Sequence, residues 1–251
     1  MSKVLKGVIE DIRSLDKRTT IALLTSAFVL ITLQFRGRSS YWQGTEYVRG
    51  LAQNMAELQF FGQVTWAATT VVLFGVVPFL VATLVLRMRP SEFGFHTRGF
   101  VRHLAVYVVF FLIMSPLIWL ASKDPAFREA YPFARLAAQS DPLSWGAEGS
   151  PHWFWRWQLC YFLQFCALEM FFRGFLIFSL ERRFGLHAIF VMTIPYAMIH
   201  LHKPMPEAFG AIFAGVILGY MALKTRSFYG GILLHYAVAL TMDLLATIKP
   251  G

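Results

Sequence analysis

Residues 153–180 read WFWRWQLCYFLQFCALEMFFRGFLIFSL, a run of 28 residues in which only Arg156, Glu169 and Arg173 carry charge. A helix of about 20 apolar residues crosses the roughly 30 Å hydrocarbon core of a bilayer, so this run predicts a membrane-spanning helix. Similar apolar runs cover residues 20–35, 62–86, 103–120, 186–201, 207–223 and 228–248. We therefore predict an all-α fold, a polytopic membrane helix bundle of about seven transmembrane helices.

The composition excludes an ordinary soluble domain and a disordered chain. Apolar residues make up 57% and charged residues 15% of the 251 residues, and the mean hydropathy is +0.53. The net charge is +9, and the Lys and Arg residues stand mainly in the segments between the apolar runs. Such residues set topology and contact lipid headgroups. Because no basic patch with interleaved aromatic residues stands outside the apolar runs, we expect membrane lipids and no nucleic acid as partners.

The chain divides into three parts by its sequence pattern. Residues 1–18 alternate apolar and basic residues as an amphipathic segment lying on a membrane surface does. Residues 19–152 hold the N-terminal membrane helices and a long loop, and residues 153–248 hold the helices with ionisable residues. Lys and Arg are more numerous in the connecting segments on the side of the membrane where the N-terminus lies. This distribution predicts a cytoplasmic N-terminus. The compact loops are typical of a bacterial inner-membrane protein.

Ionisable residues at membrane depth are costly, and Glu169 and Arg173 lie within one apolar run. Four residues apart on a helix, they share one face, and Glu169 lies about 16 Å from the end of its span at Leu180. One interpretation is a buried ion pair that only neutralises charge. The other is that Arg173 orients Glu169, which then activates a water molecule.

Two histidines lie in other apolar runs, His200 in one and His235 in another. Each alone is typical of an interhelical hydrogen bond. Together with Glu169 they form a set that binds zinc or positions a water molecule. Asp243 follows His235 by eight residues, about 80° around the helix, where it supports a histidine or reaches the interface. His202 faces almost opposite to His200, which suits an interfacial residue better than a supporting one.

Two features of residues 207–223 have structural interpretations. A carboxylate at Glu207 complements the dipole at the start of the predicted helix. Gly215 and Gly219 are spaced for close helix approach, so we expect this helix to lie deep in the bundle.

The ionisable and glycine residues of the C-terminal half follow a recognisable order. They are Glu169, Arg173 and Gly174, then Tyr196 and His200, then Thr225-Arg226-Ser227, then Gly231 and His235. Over residues 153–248 this order resembles the CPBP family of intramembrane proteases, which includes CAAX-processing endoproteases and bacteriocin-processing proteins. The family pattern has Glu, Phe and Asn where this chain has Leu168, Tyr196 and Ala239.

The resemblance implies an intramembrane endopeptidase that cleaves a membrane-anchored protein or peptide. Glu169 would then activate water, Arg173 would hold Glu169, and His200 and His235 would bind a metal ion or stabilise the oxyanion. A Zn²⁺ ion bound by His200, His235 and Glu169 and a metal-free glutamate mechanism both stay open. Two other hypotheses are a catalytically inactive scaffold that regulates another membrane protein, and a haem- or quinone-binding protein that uses His200 and His235.

Overall fold

Helices form every regular element in the computed structural model, which describes residues 3–134, 136–137 and 152–247. In chain order they are α1 (Lys3–Ser14), α2 (Lys17–Gly37), α3 (Ser39–Gln43), α4 (Glu46–Leu51), α5 (Met55–Val85), a 3-10 turn (Pro90–Phe93), α6 (Thr97–Arg102), α7 (Leu104–Ala121), α8 (Pro125–Ala130), α9 (His152–Phe184), α10 (His187–Met198), α11 (Met205–Thr225) and α12 (Tyr229–Thr247). The predicted all-α polytopic bundle is confirmed.

Of the seven predicted membrane spans, six correspond to helices in the described ranges that are long and apolar enough to cross a membrane. The exception is α10. The run 186–201 predicts a full span, but α10 has only 12 residues, about 18 Å of helix. The chain turns at Ile199 and His200, and Pro204 then precedes α11. The apolar run predicted a helix as long as the run itself, but the turn at Ile199 and His200 ends α10 before the run does.

Helix directions show that α10 nevertheless returns the chain across the bundle. Arg226 and Glu181, at the C-terminal ends of α11 and α9, form an ion pair of 2.6 Å, so these two helices run in the same direction. Gly215 packs against Thr193 and Gly219 against Ile189, which makes α10 antiparallel to α11. The short α10 and the turn after it therefore act as a seventh pass.

The first helices also join the bundle in alternating directions. Arg18, at the start of α2, donates a 2.9 Å hydrogen bond to the carbonyl of Phe178 near the end of α9. Met88, just after α5, contacts Ser179 on the same side. Tyr107 near the start of α7 lies against Gly230 near the start of α12. The N-terminal ends of α2, α7 and α12 are therefore on one side, with the C-terminal ends of α5, α9 and α11.

The helix α9 lies at the centre of the bundle. In its most apolar stretch 83% of the residues are buried, against 39% in α11. Its Phe171 ring stacks on Phe74 of α5 with centroids 4.6 Å apart. The helix α11, which was expected to lie deep in the bundle, is only partly buried, because its small residues serve one contact with α10 and its other face is exposed.

Part of α9 is π-helical, from Met170 to Leu176, and this stretch contains Arg173 and Gly174. Single π-turns inside α-helices are often found at functional sites. The stretch is entirely buried, and it begins at the residue after Glu169.

The helix α2 begins at an N-cap outside the membrane-spanning segment. The Asp16 carboxylate accepts a 2.8 Å hydrogen bond from the Thr19 backbone N–H. This backbone hydrogen bond holds the pKa of Asp16 below its ordinary value.

The division of the chain at residue 152 stays a prediction, and residues 135 and 138–151 of the predicted long loop lie outside the described residues. Ala22, Val29 and Phe74 from the first part pack in the same core as Phe171 and Phe175 from the second. The N-terminal helices therefore support the helix that carries Glu169.

Candidate active site

Glu169 lies near the middle of α9 and is fully buried. Its Oε1 atom accepts two hydrogen bonds, one of 3.0 Å from Nη1 of Arg173 and one of 2.8 Å from Nδ1 of His235. The carboxylate is therefore fixed by a cation on its own helix and by an imidazole on α12. A buried carboxylate with a partner on each of two helices is held rigidly, as general-base chemistry requires.

The hydrogen bonds also set the tautomers of both histidines. Nδ1 of His235 donates to the Glu169 carboxylate, and Nδ1 of His200 donates to the Tyr196 carbonyl at 2.8 Å. In a neutral imidazole the other nitrogen is then an acceptor. Nε2 of each neutral ring can therefore accept a proton or a hydrogen bond. To stabilise an oxyanion as a donor, as the sequence led us to expect, His200 or His235 would have to be protonated.

Tyr196 contacts three of the predicted site residues. The Cζ atom of Arg173 lies 3.9 Å from the centre of the Tyr196 ring. The ring centroid is 4.8 Å from that of His200 and 6.2 Å from that of His235. The sequence marked Tyr196 only as a departure from the family pattern. The structure shows that it packs between the arginine and both histidines.

Gly231 lies one turn before His235 on α12, directly against the carboxylate. A Cβ atom at Gly231 would be 2.3 Å from Oε2 of Glu169 and 3.0 Å from its Cδ. Only glycine lets α12 approach this closely. The spacing Gly231-x-x-x-His235 thus places an open backbone and an imidazole one turn apart on the same side of Glu169.

Three buried polar atoms of the site have no hydrogen-bond partner in the described part of the chain. They are Oε2 of Glu169 and the Nε and Nη2 atoms of Arg173. Oε2 is consequently the carboxylate oxygen that is available to take a proton. The two arginine nitrogens are available as donors.

The side chains do not fit a zinc centre with three protein ligands. Among the described residues, no group of three or more His, Cys, Asp and Glu side chains is arranged to hold a metal ion. With Oε1 of Glu169 and Nδ1 of both histidines used in hydrogen bonds, only Nε2 of each ring and Oε2 of Glu169 would remain to hold a metal ion.

Asp243 and His202, which the sequence offered as possible supports of the site, lie elsewhere. Asp243 is fully buried, and its Oδ2 accepts from Nε1 of Trp157 at 3.1 Å and from Nε2 of Gln158 at 2.7 Å, so it contacts α9 instead of a histidine. His202 is exposed and bonds to Arg38. The 80° angle between His235 and Asp243 explains the first difference, because Asp243 points to another neighbour.

Two of the three residues that depart from the family pattern, Leu168 and Ala239, are apolar and lie in apolar surroundings. Leu168 packs in the central core with Phe171 and Phe172. Ala239 lies among Trp157, Tyr161 and other aromatic side chains. Neither position contributes a polar group to the site.

Glu207 has a second role that the sequence did not indicate. It accepts a 2.6 Å hydrogen bond from Lys203 and a hydrogen bond from the Tyr131 hydroxyl. Burial raises the pKa of the Tyr131 phenol, so this group stays a donor. The cluster ties residues 131–134 to the start of α11, close in sequence to His200.

The fold and site define an integral membrane helix bundle with a buried Glu–Arg–His cluster. Residues 150–241 match the family model described as "Type II CAAX prenyl endopeptidase Rce1-like". This match covers α9, α10, α11 and α12 as far as residue 241, and it confirms the resemblance of this part of the chain to the CPBP family. No curated protein and no solved structure matches the chain.

Proposed function

We propose that the protein is an intramembrane endopeptidase that uses Glu169 to activate water. The observation that carries this proposal is the Glu169 carboxylate, whose Oε1 is held by Arg173 and His235 while Oε2 has no partner. A carboxylate that served only to neutralise Arg173 would need no imidazole from a second helix. The family match of residues 150–241 supports the same class of reaction.

In the proposed reaction, Oε2 of Glu169 takes one proton from a water molecule. The water oxygen attacks the carbonyl carbon of the scissile peptide bond, and the carbonyl π electrons move to oxygen. The N–H groups of Arg173 without a partner are the donors proposed to stabilise the developing negative charge. Glu169 then returns the proton to the leaving nitrogen as the C–N bond breaks. Nε2 of His235 accepts a hydrogen bond from the attacking water.

The proposed substrate is a membrane-anchored protein or peptide, because Glu169 is buried near the middle of a membrane-spanning helix. We further propose that the N-terminus is cytoplasmic and that the membrane is the bacterial inner membrane. The distribution of Lys and Arg supports this orientation. Neither the inactive scaffold nor the haem or quinone protein gains support from the site or from the family match.

The test compares the termini of membrane proteins by mass spectrometry in cells that lack this protein and carry either the wild type or Glu169→Gln. The matched control is Glu181→Gln, the same substitution on the same helix at a surface ion pair. We expect a defined set of precursors to stay uncut with Glu169→Gln and to be cut with Glu181→Gln, at equal protein levels. Identical termini in all complemented strains would contradict the proposal.

A further inference from the structure

A groove between α2, α3 and α5 is separate from the candidate active site. Its volume is about 420 Å³, and its lining includes Thr32, Arg36, Tyr41, Trp42, Thr65 and Thr69. None of the predicted catalytic residues lines it. Such a volume is within the usual range for a small-molecule site, about 300–1,000 Å³.

The threonines in the groove have already used their hydroxyl donors. Thr32 donates to the Phe28 carbonyl, Thr65 to the Phe61 carbonyl and Thr69 to the Thr65 carbonyl, at 2.7, 2.7 and 2.8 Å. Each bond is made to the residue one turn earlier in the same helix. The wall of the groove along α5 therefore offers mostly apolar contacts, with Val72 continuing it.

Within the described residues, a cation without a carboxylate partner and an indole N–H without an acceptor stand at one end of the groove. Arg36 is exposed, its Nη1 donates to the Tyr41 hydroxyl at 3.1 Å, and none of the described carboxylates pairs with it. Its guanidinium also lies 5.3 Å from the centre of the Tyr41 ring. The buried indole N–H of Trp42 has no partner in the same part of the chain. A ligand that suits this end carries negative charge and oxygen acceptors.

We propose that this groove binds one phospholipid, with the phosphate at Arg36 and an acyl chain along α5 between Thr65 and Val72. Arginine pairs well with phosphate oxygens, and Trp and Tyr side chains are typical of the membrane–water interface. Arg36 lies at the end of a membrane-spanning helix, which is the depth at which lipid headgroups lie. This proposal does not depend on the proposed protease activity.

The test is native mass spectrometry of the full-length protein, delipidated in detergent and titrated with phosphatidylglycerol. The variants are Arg36→Gln and Trp42→Phe. Arg156→Gln is the matched control, because Arg156 is also an exposed arginine 5.1 Å from an aromatic ring, that of Trp153, but outside the groove. Loss of a charge-assisted hydrogen bond should weaken binding about tenfold in Arg36→Gln, and loss of the indole N–H about threefold in Trp42→Phe.

We expect Arg156→Gln to bind phosphatidylglycerol as the wild type does, and all variants to melt within a few degrees of it. Diacylglycerol with the same acyl chains should bind at least about tenfold more weakly, because it has no phosphate. Equal phosphatidylglycerol binding in Arg36→Gln and wild type would overturn the proposal. Equal binding of diacylglycerol, or competition by inorganic phosphate alone, would also overturn it.

Discussion

At the scale of single residues, the distance between Gly231 and Glu169 sets the shape of the candidate active site. The carboxylate cannot move away easily, because Arg173 and His235 both hold its Oε1. A methyl group at Gly231 would therefore have to displace α12 or break one of these hydrogen bonds.

We predict that Gly231→Ala lowers the rate of substrate cleavage by about 100-fold, since a displacement of about 1 Å in an active site has an effect of that size. The rate is measured on a precursor identified by the terminus comparison. Gly210→Ala is the control, because a Cβ atom at Gly210 meets nothing within 4 Å. Full activity of Gly231→Ala would show that Glu169 need not be held in this position.

The buried pair of Glu169 and Arg173 allows the structural and the catalytic interpretation to be separated. Removing one member of a buried ion pair costs about 3–5 kcal/mol, whereas replacing both by neutral residues is often nearly neutral. We predict that Arg173→Met strongly lowers the melting temperature and that adding Glu169→Gln restores most of it. The double variant should be folded and inactive.

Measured melting temperatures and cleavage rates of Arg173→Met, Glu169→Gln and the double variant check this prediction. If the double variant folds and still cleaves substrate, Glu169 and Arg173 have only a structural role. A double variant no more stable than Arg173→Met would mean that Arg173 stabilises the fold through Tyr196 and not through Glu169.

At the scale of helices, the contact between α10 and α11 positions the segment that carries Tyr196 and His200. A Cβ atom at Gly215 would lie 2.8 Å from Cγ2 of Thr193 and 3.2 Å from the Tyr196 ring. Thr193 cannot rotate freely, because its hydroxyl donates to the Ile189 carbonyl at 2.8 Å.

We therefore predict that Gly215→Ala destabilises the protein by about 1–3 kcal/mol through overpacking and also lowers activity. Gly210→Ala, five residues earlier on the same helix, should leave both unchanged or be slightly stabilising. Thermal unfolding and the cleavage assay measure the two effects. A Gly215→Ala protein as stable as Gly210→Ala would contradict the close packing of α10 on α11.

At the scale of the whole molecule, the short α10 decides on which side the chain ends. Because α9 and α11 run in the same direction, α10 and its turn return the chain, and the described helices make seven passes. An odd number of passes places the two ends on opposite sides of the membrane.

We predict that a reporter at the N-terminus is cytoplasmic and one at the C-terminus is outside. Fluorescent-protein and alkaline-phosphatase fusions at each end measure this, because the first is bright only inside and the second is active only outside. Two ends on the same side would mean that α10 does not act as a crossing. Active alkaline phosphatase at the N-terminus would instead reverse the proposed orientation.

The amino-acid sequence was sufficient to predict the class of fold and a family resemblance over the C-terminal half. Apolar runs of sufficient length predict membrane helices because each helix must satisfy its own backbone hydrogen bonds in lipid. The order of Glu169, Arg173, His200 and His235 along the chain indicated the family without any knowledge of packing.

Only the tertiary structure decided how these residues meet. Glu169 and His235 are 66 positions apart, and their hydrogen bond depends on how closely α12 approaches α9 at Gly231. Helical periodicity indicates which residues share a face but not which neighbour that face meets. For the same reason the sequence left Asp243 either beside a histidine or at the interface, whereas it lies against Trp157 and Gln158. The early end of α10 was likewise not predicted.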